Sequence, residues 1–578
     1  MKPRAEHPKP QFEREAWLNL NGEWSFDFDN GKSGVERGFY RNDKKLSKSI
    51  IVPFCPESDL SGIGHKDFIY GVWYKRTFFL NKEQASQRVV LHFGAVDYGC
   101  SVYVNEMLVG KHQGGYVSFH FDITRHIQEG DNTLAVYAWD DTRERKIPRG
   151  KQCEEFYSSG CDYTRTTGIW QTVWLEFTPD IHIEWAKFVP DVPNEKLLVQ
   201  VAVNGASDLK LYASYEGKLV GQARAVSMGG IVNVAIPLSE VHLWEPGKGR
   251  LYDLVLTYGQ DRVKSYFGLR SIRLDGMKFL INGKPVFQRL VLDQGFYPDG
   301  IYTAPNDDVL ANDIRLSMSM GFNGARLHQK IFEERFLYHC DKMGYLIWAE
   351  FPNWGLDHSY ADSIYGILPE WMEEVQRDFN HPAIIGWCPF NETWDVKGRH
   401  QYDECIRLVY RVTKALDPTR PCIDTSGNYH VETDIYDVHD YEQRPDIFRA
   451  HYDKLMTEGV LYDSAGDHCD RQGRLYQCAY HGEPTFVSEY GGIQWSEDQS
   501  GWGYGESPKT VEEFIDRFTQ LTAALMQNDK MFGLCYTQLT DVEQEQNGLL
   551  TYKREPKVDP AIIRRVLSEE AAIEKTMK

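Results

Sequence analysis

From Trp17 to about Pro179, apolar and polar residues alternate in short runs broken by turn residues. The runs are Glu23-Trp-Ser-Phe-Asp-Phe, Trp73-Tyr-Lys-Arg-Thr-Phe-Phe, Arg88-Val-Val-Leu-His-Phe, Ser101-Val-Tyr-Val and Thr133-Leu-Ala-Val-Tyr-Ala-Trp. A period of two sends alternate side chains to opposite faces, so residues 1–179 are predicted to form an antiparallel β-sandwich. The same rhythm continues over residues 180–268 in Leu197-Leu-Val-Gln-Val-Ala-Val, Ile231-Val-Asn-Val-Ala-Ile and Tyr252-Asp-Leu-Val-Leu-Thr-Tyr. About 90 residues with some seven strands fit an immunoglobulin-like sandwich.

After Leu269 the rhythm changes. Helical periods over Asn306 to Met320, Glu333 to Met343, Glu370 to Phe379, Tyr402 to Leu416 and Val511 to Gln527 alternate with short apolar runs. Those runs are Val286 to Leu290, Gly321 to Arg326, Tyr345 to Glu350, Ile384 to Pro389, Pro421 to Thr425, Ile435 to His439, Thr485 to Glu489 and Gly533 to Gln538. Eight such alternations over residues 269–578 predict a (β/α)8 barrel, whose chemistry gathers at the C-terminal ends of the strands.

Composition narrows the partners. The 578 residues carry a formal net charge of −20, which opposes contact with phosphate backbones or anionic lipid, so a nucleic-acid or membrane partner is not expected. Aromatic residues make up 13% of the chain, enough to supply both a large core and flat faces for sugar rings. The eleven cysteines include no Cys-x-x-Cys pair, so neither a disulfide framework nor a zinc site is expected, and reduced thiols suit a cytosol. The start, Met-Lys-Pro-Arg-Ala-Glu-His-Pro-Lys-Pro, has no apolar signal core, which again points to a cytoplasmic protein.

The strand ends carry carboxylates. The fourth barrel run ends in Asn391-Glu392 and the seventh in Glu489-Tyr490-Gly491. Strands four and seven face each other across an eight-stranded barrel, so both glutamates can reach one bond. A retaining glycosidase needs this pairing, with carboxyls ~5–5.5 Å apart, one attacking the anomeric carbon and the other moving the proton. A glutamate at a barrel rim can also merely pair with an arginine or cap a helix; two in these contexts favour chemistry.

His381-Pro-Ala-Ile-Ile-Gly-Trp-Cys-Pro-Phe-Asn391-Glu392 resembles the acid/base signature of glycoside hydrolase family 2, and Phe486-Val-Ser-Glu489-Tyr-Gly resembles its nucleophile signature. Leu18-Asn-Leu-Asn-Gly-Glu-Trp24, Asn282-Gly-Lys-Pro-Val-Phe287 and Gly321-Phe-Asn-Gly-Ala-Arg326 extend the similarity over nearly the whole chain. The resemblance implies a jelly-roll sugar-binding domain, an immunoglobulin-like domain and a catalytic barrel. It implies Glu392 as acid/base, Glu489 as nucleophile, Asn391 on the sugar 2-hydroxyl, Arg326 on Glu489, and Tyr441 as the tyrosine that touches the nucleophile.

Departures from the family pattern shape the expected substrate. Magnesium-dependent galactosidases of the family carry a Glu-x-His after strand three; counting from Glu350 reaches Trp354-Gly355-Leu356, so no metal or other cofactor is expected. Family glucuronidases carry an Asn-x-Lys whose lysine meets the sugar carboxylate; this chain has Asn547-Gly548-Leu549, which favours a neutral sugar. His328 lies two residues after Arg326 where the family has a histidine three residues on, leaving a structural rim role equally open. Asp293, Gln294, Glu350, His439, Asp440, Gln538 and Asp541 are further candidates to line the pocket, and Trp348, Trp354, Trp394, Trp495 and Trp502 to stack on sugar. Gly501-Trp-Gly-Tyr-Gly505 is the candidate lid.

The expectation is a retaining, exo-acting β-glycosidase for oligosaccharides or other glycosides, with β-galactoside first. Alternatives are a β-mannoside, a β-glucuronide, a furanoside such as an arabinofuranoside, or a catalytically silent carbohydrate-binding protein. A homo-oligomer is left open.

Overall fold

In the computed structural model, which describes residues 2–396, 398–465, 468–469, 473, 475–496 and 500–575, the first alternating runs become strands. In Gly22–Phe28, Trp24 and Phe26 are buried while Glu23 and Ser25 face out, as the period of two requires. One sheet runs Lys48–Val52, Gly22–Phe28, Val72–Leu80, Gly130–Trp139, Gly99–Val104, Met107–Gln113, and the other Trp17–Asn19, Val173–Thr178, Arg88–Phe93, Phe119–Asp122. Trp24, Phe26, Tyr74, Leu91, Val136 and Leu175 fill the core of this jelly-roll sandwich.

A second sandwich follows. Ile183–Asp191, Lys196–Val203 and Gly230–Pro237 form one sheet, and Lys218–Ser227, Ser207–Tyr215, Tyr252–Tyr258 and Asp261–Phe267 the other. Its separate core holds Val199, Leu211, Leu254 and Phe267.

The remaining chain is a TIM barrel. Its strands are β1 Gln288–Asp293, β2 Gly324–Leu327, β3 Leu346–Glu350, β4 Ile384–Cys388, β5 Thr425–Ser426, β6 Val438–Asp440, β7 Thr485–Gly491 and β8 Met531–Thr537. Seven of them form one parallel sheet in the order β4-β3-β2-β1-β8-β7-β6. β5 joins through Phe390–Asn391, the continuation of β4, with Asn391 opposite Ser426. That pairing draws Asn391 and Glu392 over the barrel mouth.

The helices depart from the periodicity in an interpretable way. The third runs Ile364–Asp378 and tolerates Pro369 in its interior, where a break was expected before Glu370. Pro445–Glu458 and Pro560–Leu567, not anticipated, each start with proline in the first turn, where its missing N–H costs nothing. β1 lies two to three residues later than the apolar run suggested, which makes Asp293 its last residue.

Backbone hydrogen bonds help seat the first sandwich on the barrel. The backbone N–H groups of Tyr116 and Val117 donate to Glu370 Oε1 at 2.6 and 3.2 Å, and the Arg149 N–H donates to Trp354 O at 2.7 Å. The sugar-binding domain thereby walls one side of the barrel mouth. All eleven cysteines are free thiols, and no described helix is long and apolar enough to cross a membrane.

Candidate active site

Glu392 and Glu489 converge as the strand geometry predicted. Both reach His439, and one ligand atom from each of the three lies within 4.8 Å of the other two. The Glu489 side chain, only 5% exposed, is held from two sides: Arg326 Nη1 donates to its Oε1 at 3.1 Å and the Tyr441 hydroxyl to its Oε2 at 2.6 Å. Burial alone would push this carboxyl up, but the charges of His439 and Arg326 outweigh burial and hold it below the usual carboxylate range. An ionised, oriented oxygen is what a nucleophile requires.

Glu392 sits at a positive φ of 49°, a conformation that non-glycine residues adopt at some cost and that aims its side chain across the mouth. His439 Nδ1 lies 2.7 Å from Glu392 Oε1, and the Trp394 indole N–H donates to Oε2 at 3.4 Å. Burial opposes ionisation here as well, and the His439 contact overcomes it. The His439 ring lies against Gly427, where a Cβ would stand 2.4 Å from the imidazole, and its Nε2 is 3.1 Å from Ser426 Oγ. Burial lowers the imidazole's affinity for a proton, yet Glu489 and Glu392 together raise its pKa, so the pair stores a proton between them.

Arg326, fully buried at the end of β2, organises the floor. Its Nη2 donates to Asn391 Oδ1 at 3.0 Å, leaving the buried Asn391 Nδ2 without a protein partner and free for a substrate hydroxyl. Arg326 Nε is 2.6 Å from Glu350 Oε1, but its N–H is not aimed at that oxygen, so the contact is an ion pair without a hydrogen bond. Burial pushes Glu350 up to about 7, with the Glu489 charge adding and Arg326 opposing. His328 Nδ1 lies 3.0 Å from Glu350 Oε2 and 3.9 Å from Glu489 Oε1; burial and the nearby Lys151 and Arg326 charges keep this imidazole neutral.

The other expected residues divide. Trp354 lies at the rim, with its indole N–H donating to Asn391 O at 3.1 Å. Asp293 turns back to accept from Gly295 N–H at 2.9 Å and touches neither glutamate, and burial raises it to about 6. Gln538 Nε2 donates to Asn547 Oδ1 at 2.7 Å, and its buried Oε1 has no protein partner among the described residues. Asp440 accepts from His451 and Tyr452, and Asp541 from Lys557, so both serve local structure. In the glycine-rich loop, Tyr504 stacks on Tyr441 at 3.5 Å between ring centroids, which closes one wall.

Sequence patterning passed over Lys151, Tyr163 and Glu545. Tyr163, from the sandwich, donates to Glu545, which also accepts from Asn547 Nδ2 at 2.9 Å. Pro148-Arg-Gly-Lys151 looks like a turn in the sequence, and only contact with the barrel reveals its place.

Among the described residues, Glu392, His439 and Glu489 are the one group of three side chains close enough to share a metal ion. Arg326 already supplies positive charge at Glu489, and Tyr441 occupies its second oxygen. Two opposed buried carboxyls at the mouth of a TIM barrel, one ionised and anchored by arginine and tyrosine, the other coupled to a histidine, define a glycoside hydrolase.

Family models agree with that class. "Glycosyl hydrolases family 2, sugar binding domain" matches residues 65–179, and "Glycosyl hydrolases family 2, TIM barrel domain" matches residues 272–570. The chain belongs to glycosyl hydrolase family 2 and is a β-glycosidase. Among curated relatives, the β-glucuronidase of Sus scrofa is 28% identical over 634 aligned residues, covering 96% of this chain and 91% of the relative. A β-galactosidase of Thermoanaerobacter pseudethanolicus is 28% identical over 441 residues, covering 70% of this chain and 54% of the relative. Among solved structures, a β-glucuronidase from an uncultured Clostridium species has a TM-score of 0.78 at 23% identity, covering 96% of this chain and 99% of that one. The Ruminococcus gnavus β-glucuronidase in complex with D-glucuronic acid has a TM-score of 0.79 at 18% identity, covering 98% and 100%. At these identities the structures establish a shared fold.

Proposed function

We propose that this β-glycosidase is a retaining, exo-acting enzyme that removes terminal β-glucuronides by double displacement. The observation that carries the mechanism is the approach of Glu392 and Glu489 to one another across His439, with ligand atoms within 4.8 Å. Carboxyls this close leave no room for a water between nucleophile and sugar, as inversion would require. In the first step a Glu489 oxygen attacks the anomeric carbon, the glycosidic C–O bond breaks, and Glu392 delivers a proton to the departing oxygen. In the second, Glu392 takes a proton from water as the water oxygen attacks the same carbon, and the Glu489 ester bond breaks. Asn391 Nδ2 is placed for the 2-hydroxyl, and Arg326 keeps Glu489 ionised between turnovers.

The sugar is argued from the relatives. The first curated relatives are named β-glucuronidases, which favours that alternative over the β-galactoside expected from the sequence. A β-galactoside is kept as the second reading because Asn547-Gly548-Leu549 lacks the family lysine and because one relative is named a β-galactosidase. The test is kcat/KM on 4-nitrophenyl β-glycosides of glucuronic acid, galactose, mannose and arabinofuranose. The glucuronide is expected to exceed every neutral glycoside by at least about tenfold, and a neutral glycoside in first place would overturn the choice of sugar.

A further inference from the structure

Lys151 belongs to the sugar-binding domain, yet its backbone is clamped to the barrel. On one side of it Arg149 N–H reaches Trp354 O at 2.7 Å, and Gly150 N–H reaches Pro352 O and Trp354 O, each at 3.2 Å. Gly150 has φ +57°, and a Cβ there would stand 2.5 Å from Gln329 O, so this approach needs glycine. On the other side Lys151 O accepts from Tyr163 N–H at 2.7 Å. The clamp carries the lysine side chain inward, leaving the residue 5% exposed with Nζ 3.9 Å from the centre of the Trp354 ring. That ring is the one whose indole N–H is bonded to Asn391 O.

Buried cations nearby have acceptors: Arg326 has Glu350 and Glu489, Arg149 has Asp162 at 3.0 Å, and Lys330 has two backbone carbonyls. Among the described residues, Lys151 has no carboxylate within ion-pair distance and no hydrogen-bond acceptor, only an aromatic face. A cation–π contact is worth ~0.5–2 kcal/mol, well short of what a buried ammonium loses in hydration. Burial works against its charge, but the carboxylates around it, Glu545, Asp162 and Glu489, keep it protonated. The site therefore holds a positive charge whose partner is missing.

The loop after β8 cannot supply that charge in its place. Leu549 is packed in the core, Asn547 is tied to Glu545 and Gln538, Lys557 is paired with Asp541 at 2.7 Å, and Lys553 is exposed.

We propose that Lys151 receives the carboxylate of the terminal uronic acid, so that the sugar-binding domain provides the cation that other family members take from the barrel. The assignment rests on the β-glucuronide reading. A uronate carboxylate entering a partly dry pocket needs a charge-assisted hydrogen bond to offset its lost hydration, and Lys151 is the described cation at the mouth with one to give.

The test compares wild type, Lys151→Met and Lys151→Arg in the full-length chain, by kcat/KM on 4-nitrophenyl β-D-glucuronide and on 4-nitrophenyl β-D-galactoside. Methionine keeps the stem that covers Trp354 and removes the charge; Lys151→Gln makes the same comparison if the methionine variant does not fold. The ratio of glucuronide to galactoside efficiency is expected to fall at least about a hundredfold in the neutral variant and to recover in part with arginine. If wild type prefers the glucuronide and the neutral variant lowers both substrates alike, the assignment is overturned and the β-glucuronide reading stands. If wild type itself prefers the galactoside, that reading fails and the assignment falls with it.

Discussion

His439 Nδ1 lies 2.7 Å from Glu392 Oε1 and 3.4 Å from Glu489 Oε2, so one imidazole bridges two carboxyls that would otherwise repel each other. Against the effect of burial, the contact raises the histidine pKa and lowers that of both glutamates. The proton that the leaving group needs is shared by the pair and is lost only as pH rises through the raised histidine value; the nucleophile stays ionised until pH falls below the usual carboxylate range. The pH profile of kcat/KM should therefore be a broad bell with its alkaline limb above ~6.5, the ordinary histidine value. An alkaline limb near ~5 would place the proton on an unperturbed carboxylic acid and contradict the coupling.

The two glutamates should separate by leaving group. Glu489→Gln removes the attacking oxygen and should lower kcat by at least about 10⁴-fold on every substrate. Glu392→Gln should spare glycosylation by 4-nitrophenyl glycosides, whose leaving group needs little protonation, while glycosides of alkyl alcohols lose about 10²–10⁴-fold. Equal losses on both substrate types in Glu392→Gln would argue against its role as the acid.

Metal is not required in this account. Counting on from Glu350 reaches Trp354 and Leu356, neither of which is a metal ligand, and Arg326 supplies the cation beside Glu489. Activity should stay within about twofold after dialysis against EDTA. A loss restored by magnesium would contradict it.

The convergence of Glu392 and Glu489 was legible because β4 and β7 end in short contiguous motifs whose residues stay close in space. Arg326 and Tyr441 came from the family resemblance rather than from periodicity, and both hydrogen-bond Glu489 in the structure. Asp293 and Gln538 occupy equivalent positions along the chain, yet their side chains satisfy Gly295 and Asn547, a choice of rotamer that periodicity does not encode. Lys151 was not legible because its partner surface, Trp354, is about two hundred residues away in another domain. Pro445 and Pro560 were the missed helix starts: proline reads as a breaker until its place in the first turn is recognised.

Arg14 ties both sandwiches together. It donates to Glu176 Oε2 at 2.8 Å in the first and to both Asp261 oxygens at 2.8 Å in the second, with all three side chains buried. Arg14→Met leaves two buried carboxylates without their cation and should cost about 3–5 kcal/mol, read as a lower Tm. Burial would raise Glu176, but His92 and Arg14 hold it at about 2. Its folded value lies below the ~4.3 of an unfolded chain, so its contribution is complete above ~4.3 and is lost as pH falls toward 2. The gap in Tm between wild type and variant should therefore narrow from pH 7 to pH 3; a Tm unchanged by the substitution would show that Arg14 carries no such load.

The central claim is that Glu489 forms a covalent bond to the sugar, and trapping that intermediate tests it most directly. The wild-type enzyme is inactivated with the 2-deoxy-2-fluoro β-glycosyl fluoride of the sugar it hydrolyses best, then digested and sequenced by mass spectrometry. The predicted result is one fluorosugar per chain, on Glu489 in the Phe486-Val-Ser-Glu489-Tyr-Gly segment, with activity returning as the ester hydrolyses. A label on another carboxylate, or turnover that gives the inverted anomer with no labelled species, would contradict the account.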